Sequence, residues 1–238
     1  MPPLAHYEQL AALFEYPQRD YPAEVQRARQ VLDGRYPAAA ARLAAFANTL
    51  PSEGHAFSAA ALDEVQEIFT RSFDVQPITT LSVGYVMFGD DYKRGELLVN
   101  LNREDRDAGV DCGSELPDHL PNVLRLIARW QDPEMVVEFI EHILHPAVER
   151  MIAEFGSGRL EQRNQLYRKH FKTLIAASAE RGRIFREPLE ALLAVINQDF
   201  GLAASVRPEQ KNDFLRSIGR ELVIEAGEGH PAPSRSTP

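Results

Sequence analysis

Apolar residues recur at the spacing of a helix face along almost the whole chain, and the alternation that marks strands is nearly absent. Tyr7, Leu10, Ala11 and Phe14 form one such set, Val25, Ala28 and Leu32 a second, and Leu43, Phe46, Ala47 and Leu50 a third. Residues three and four apart lie on one side of an α-helix, so each set marks a stripe that another helix must cover. The pattern restricts the chain to an all-α fold, a single-domain bundle of about ten helices. With 238 residues, 44% of them hydrophobic, the chain has enough apolar surface for one sizeable core. The expected organisation is a helical domain over residues 1–202, a C-terminal helix or extension over 203–226 and a disordered tail over 227–238.

Punctuation residues set the expected boundaries. Ser58 is placed to cap a helix carrying Leu62, Val65, Phe69 and Phe73, which Pro77 would end. Thr79 or Thr80 would cap a short helix with Leu81, Tyr85 and Phe88 inward, and a further helix over residues 92–108 would close at Gly109. Leu116, Leu120, Val123, Leu124 and Ile127 form the next stripe. Asp132-Pro133 then supplies a cap followed by the first-turn proline that helices favour. From Met135 to Phe155 one register continues across Pro146, which implies a kinked long helix or two coaxial ones. Later stripes involve Leu160, Tyr167, Phe171, Leu174 and Ile175, then Leu189, Leu192, Leu193, Ile196 and Phe200, then Phe214, Leu215, Ile218 and Leu222.

Charge narrows the partners. The net charge is −9, opposite to that of a chain built to neutralise phosphates, so nucleic acid is not an expected ligand and basic partners are. Residues 89–145 hold thirteen acidic and six basic side chains, whereas residues 159–188 hold three acidic and eight basic ones. No apolar run is long enough to span a bilayer, and the opening MPPLAHYEQL lacks the order of an export signal, which points to the cytoplasm. Cys112 is the only cysteine, so no intrachain disulfide forms, and beside Asp111 it lacks the electropositive setting of a nucleophile.

Enzyme signatures are absent: there is no phosphate-binding glycine loop, nucleophile elbow or HExxH. Glu138, His142, His145 and Glu149 fall at i, i+4, i+7 and i+11, a spacing at which carboxylate and imidazole share a metal, but Pro146 interrupts it and the expectation is no metal and no cofactor. Glu115-Leu116-Pro117-Asp118-His119-Leu120-Pro121 stands out because two prolines bracket a charged pair where a helix begins. On physical grounds Asp118 belongs in the first helical turn, facing the positive end of the dipole, with His119 tied into the core.

That heptapeptide resembles the signature of the nitrate reductase delta-subunit (NarJ) chaperones, a group that includes the TorD and DmsD chaperones. Phe69-Thr70-Arg71-Ser72-Phe73-Asp74 is similar to the family's pattern of an aromatic, three intervening residues and then Phe-Asp, and Phe88-Gly89-Asp90 with Arg94-Gly95 to the stretch before the next helix. Tyr85-Val86-Met87 stands where members often carry histidine or glutamate, which leaves the enzyme served open between nitrate reductase and a relative. The resemblance implies an all-helical cytoplasmic chaperone, monomer or homodimer, that holds the N-terminal peptide of a molybdenum oxidoreductase catalytic subunit while its cofactor is inserted. Glu115, Pro117, Asp118, His119, Phe69, Phe73, Asp74 and Tyr85 would then line or support the peptide groove, with no catalytic residue. Two other readings compete. One is a small metal- or nucleotide-dependent enzyme using Asp118 and His119 as acid and base, with Glu138, His142 and His145 nearby. The other is a helical adaptor retained in a finished complex.

Overall fold

A computed structural model of the chain describes residues 4–51, 54–156 and 183–202, and these form an all-α bundle. The elements in chain order are α1 (His6–Ala11) running into a 3-10 turn (Ala12–Phe14), α2 (Tyr21–Leu32), α3 (Pro37–Thr49), α4 (Ala59–Phe73), α5 (Val83–Phe88) and α6 (Tyr92–Ala108). They continue with α7 (Leu120–Arg129), α8 (Pro133–Phe139), a π-helical turn (Ile140–Leu144), α9 (His145–Glu154) and α10 (Arg186–Phe200). There is no strand among the described residues beyond one antiparallel bridge between Ser82 and His119. No helix among them is long and apolar enough to cross a membrane. The stripes expected at residues 160–175 and 214–222, and the tail from 227, lie outside the described residues.

Local chemistry explains most boundaries. Ser58 Oγ accepts from the Ala61 N–H at 3.2 Å, and Asp132 Oδ1 accepts from the N–H groups of Glu134 and Met135 at 3.0 and 3.1 Å, so both expected caps form. Gly109 ends α6 with φ +65°, a left-handed conformation that glycine adopts freely. Helix α4 stops earlier than Pro77 requires. The Val75 N–H bonds to Thr70 O, and the Ser72 carbonyl accepts from both Ile78 and Thr79, so the orphan carbonyls are satisfied by a turn that unwinds the chain after Phe73.

The stretch from Pro133 to Glu154 is one rod. Pro146 has no N–H, and its ring would press on the His142 carbonyl in a straight α-helix. The wider π turn just before it, in which the His145 N–H reaches back to Ile140 O, accommodates the proline without ending the rod. Val136, Phe139, Ile140, Ile143, Leu144, Ala147, Val148, Met151 and Phe155 of this rod are buried.

Helix α10 packs on α3 and α9, α1 on α7 and α2, and α5 on α9 and α6. Phe185, fully buried, sits among Phe46, Phe69 and Phe73 with ring centroids 5.5, 5.2 and 5.4 Å away, in tilted and edge-on arrangements that aromatic quadrupoles favour. Burying each of these rings contributes about 1.5–3 kcal/mol. Two apolar expectations need correction. Leu116 is half exposed because it precedes α7 by a turn and points away from the stripe. Tyr85 is also exposed: α5 buries Val83 and Gly84 instead, so the short helix presents its smallest side to α6.

Candidate functional site

Helix α7 starts at Leu120 with His119 as its cap residue, so Asp118 lies just before the helix and not in its first turn. The expected dipole contact gives way to an ion pair. Asp118 is fully buried, and its Oδ2 and Oδ1 accept from Arg94 Nε at 2.9 Å and Nη2 at 3.4 Å. A carboxylate removed from water needs such a partner, and the planar guanidinium meets both oxygens at once. Backbone bonds fix the same segment from both sides: the Val83 N–H donates to Asp118 O at 2.8 Å, and the Leu120 N–H to Leu81 O at 2.9 Å. Gly84 lets the pieces meet, because a Cβ there would stand 2.8 Å from Asp118 Oδ2 and 3.1 Å from Leu97 Cδ2.

The outer half of the turn is tethered by Asn122, whose buried amide donates to Leu116 O at 3.1 Å and Cys112 O at 3.4 Å. Arg125 donates to Asn122 Oδ1 at 3.2 Å and also meets Glu15, tying α7 to the chain after α1. His119 is half-buried, and burial holds its imidazole below the usual range, although Glu115, Glu15 and Asp118 pull the other way. Cys112 donates to Asp105 Oδ2 at 3.3 Å; burial and the neighbouring carboxylate push the thiol up to about 12, which keeps it protonated and unreactive near neutral pH.

Of the residues singled out in the sequence, Glu115, Pro117, Asp118 and His119 form this one turn, with Glu115 exposed and Pro117 buried beneath it. Tyr85 joins them through Arg94, whose guanidinium lies 5.4 Å from its ring centroid. Phe69 and Phe73 are 6% and 7% exposed and engaged in the aromatic cluster around Phe185, so they act from within the core and offer no face to a ligand. Asp74 is the exposed residue that follows α4. Arg94 and Gly84, which complete the site, were legible only as part of flanking text: an arginine in the first turns of a helix and a glycine inside a short apolar helix.

The row Glu138, His142, His145 and Glu149 divides. His145 turns inward, with Nε2 2.9 Å from Asn197 Oδ1 and Nδ1 3.7 Å from Glu149, whereas Glu138 and His142 border a cleft beside the end of α10. Among the described residues no group of three or more His, Cys, Asp or Glu is placed to hold a metal.

A second polar cluster had no sequence signal. Asp199, at the end of α10, has Oδ2 2.8 Å from His6 Nε2, while its Oδ1 accepts from the Tyr36 hydroxyl at 2.6 Å and from Arg35 Nη2 at 3.2 Å. Burial alone would raise Asp199, but the hydrogen bonds from His6 and Tyr36 and the charges of His6 and Arg35 hold it below the ordinary carboxylate range.

Set against known proteins, the chain matches no family model and no curated protein. The functional reading therefore rests on the turn itself.

Proposed function

We propose that this protein is a cytoplasmic assembly chaperone, a member of the nitrate reductase delta-subunit and TorD-DmsD group, that receives the N-terminal peptide of a molybdenum oxidoreductase catalytic subunit. The observation that carries this reading is the construction of residues 115–121. A buried Asp118–Arg94 pair and two backbone bonds hold the turn rigid, and the rigid turn offers Glu115, Leu116, His119 and the neighbouring Tyr85 to solvent. A preformed surface that combines carboxylate, imidazole, aliphatic and aromatic groups suits an extended or helical basic amphipathic peptide, because nothing has to be ordered on the chaperone's side when it binds. The net charge of −9 steers such a peptide inward.

The acid–base alternative is disfavoured by the same geometry. Both oxygens of Asp118 face Arg94 and the residue has no solvent exposure, which leaves no route for a substrate proton. The decisive test is co-expression with molybdenum oxidoreductase catalytic subunits, each with and without its N-terminal segment. Co-purification with the complete precursor and loss of it on truncation supports the chaperone. Retention in the finished, cofactor-loaded enzyme points instead to an adaptor.

A further inference from the structure

Helix α6 has 17 residues, packs on α5 and α7, and buries only Leu97, Leu101 and Asp105. These mark one side at i, i+4 and i+8, and Arg94, which supports the Asp118 turn, lies on that side too. The opposite side carries Tyr92, Gly95, Val99, Arg103 and Arg106, at i, i+3, i+7, i+11 and i+14. All five are exposed, Tyr92 to 70% and Val99 to 61%. A Cβ at Gly95, or at Gly109 where the helix closes, would meet no atom within 4 Å among the described residues. One exposed apolar side chain on a surface is ordinary, but here two project seven residues apart with an open glycine notch between them, the repeat by which helices pair.

The order of residues along this side selects what covers it. Tyr92, Gly95 and Glu96 lie in the first half of the helix, and Asn102, Arg103, Arg106 and Gly109 in or just past the second. A second copy of α6 turned end for end sets Tyr92 over Gly109, Arg106 over Gly95, Val99 beside Asn102 and Glu96 beside Arg103. Bulk then meets a notch, and acid meets base twice. A parallel copy would instead oppose Glu96 to Glu96 and Arg106 to Arg106, like charge against like. A surface that complements itself after a half turn is what a twofold dimer requires. We propose that this protein self-associates by antiparallel pairing of α6 with α6 of a second copy, packed on Tyr92 and Val99 and fixed by two Glu96–Arg103 ion pairs between the copies. The contact Arg103 makes with Glu104 of its own helix, 3.4 Å long and exposed, is readily exchanged for the new one. A helix of this length spans about 25 Å, so one helix pair buries less than the roughly 800 Å² per partner of a stable interface. The dimer is therefore weak, with a dissociation constant on the order of 100 µM.

The pairing is independent of the chaperone reading and is tested without any client. Sedimentation velocity of the full chain, from about 10 to about 500 µM in about 0.15 M salt to screen the −9 charge of each copy, should show a reversible monomer–dimer equilibrium. Glu96→Arg and Arg103→Glu should each raise the dissociation constant at least about fivefold, by setting like charges against each other. Glu96→Arg/Arg103→Glu together should return it to within about twofold of wild type, a recovery that misfolding of the single variants could not produce. Val99→Asp should leave a monomer throughout the range, with a thermal melt close to that of wild type. A wild-type chain that stays monomeric at the highest concentration overturns the proposal. So does a dimer unmoved by the single reversals or by Val99→Asp, or a double reversal that pairs no better than the singles.

Discussion

Asp118 and Asp199 are both buried carboxylates facing an arginine, yet they are held in different ways. Among the described residues the Asp118 side chain has one partner, Arg94, whose side chain is 20% exposed, and the rest of its fixation comes from backbone bonds of the segment that carries it. Asp199 is shared by three side chains from distant parts of the chain: His6 from α1, Arg35 from the turn after α2 and Tyr36 at the start of α3. The first arrangement stiffens a loop whose outer side chains remain free to bind. The second joins the beginning of the described chain to its end and leaves little free. A buried ion pair thus serves presentation in one region and closure in the other.

Removing each carboxylate should separate these roles. Asp199→Ala leaves His6 and Tyr36 with only their mutual 3.2 Å contact in a buried site and should cost about 3–5 kcal/mol of folding stability, read by chemical denaturation. Asp118→Ala should cost less, about 2–3 kcal/mol, because Arg94 can turn toward water. If the two losses are equal, the distinction between closure and presentation fails. Gly84→Ala sharpens the comparison further. Its Cβ would press on Asp118 Oδ2 at 2.8 Å, and although alanine favours a helix, the net result should be a loss of about 1–2 kcal/mol, seen as a lower melting temperature.

A smaller effect of opposite sign is expected at Asp105, which has no cationic partner among the described residues: burial pushes it up to about 6. Its folded value lies above the unfolded one, about 3.9, so ionised Asp105 opposes folding at pH above 6, and that penalty fades as pH falls toward 4. Asp105→Asn should therefore stabilise the protein by about 1 kcal/mol at pH 7.5 and by almost nothing at pH 4, measured by melts across that range.

The same contrast explains what the sequence disclosed. Helical periodicity, the Ser58 and Asp132 caps and the Gly109 terminus were readable because each rests on residues close together in the chain. The turn around Asp118 was readable as a place, since its prolines and charged pair are contiguous. Its chemistry was misjudged, because Arg94 is 24 residues away and nothing local distinguishes a carboxylate that caps from one that pairs. Phe69 and Phe73 carry an apolar spacing that fits a core and a groove equally, and only the position of Phe185 decides for the core. The Asp199 cluster joins residues up to 193 positions apart and had no local signature.

Because Asp118 also supports the fold, its loss does not isolate peptide recognition. His119 and Glu115 do: the His119 side chain makes no capping hydrogen bond, and Glu115 is exposed. Calorimetric titration of the wild type, His119→Ala and Glu115→Ala with the N-terminal peptide of the molybdenum oxidoreductase that co-purifies, beside thermal melts, tests the presentation role directly. The expected result is a loss of about 1–3 kcal/mol in peptide binding for each variant with folding stability within about 0.5 kcal/mol of wild type. Unchanged affinity in both would contradict it, leaving the turn a piece of architecture and the peptide site elsewhere.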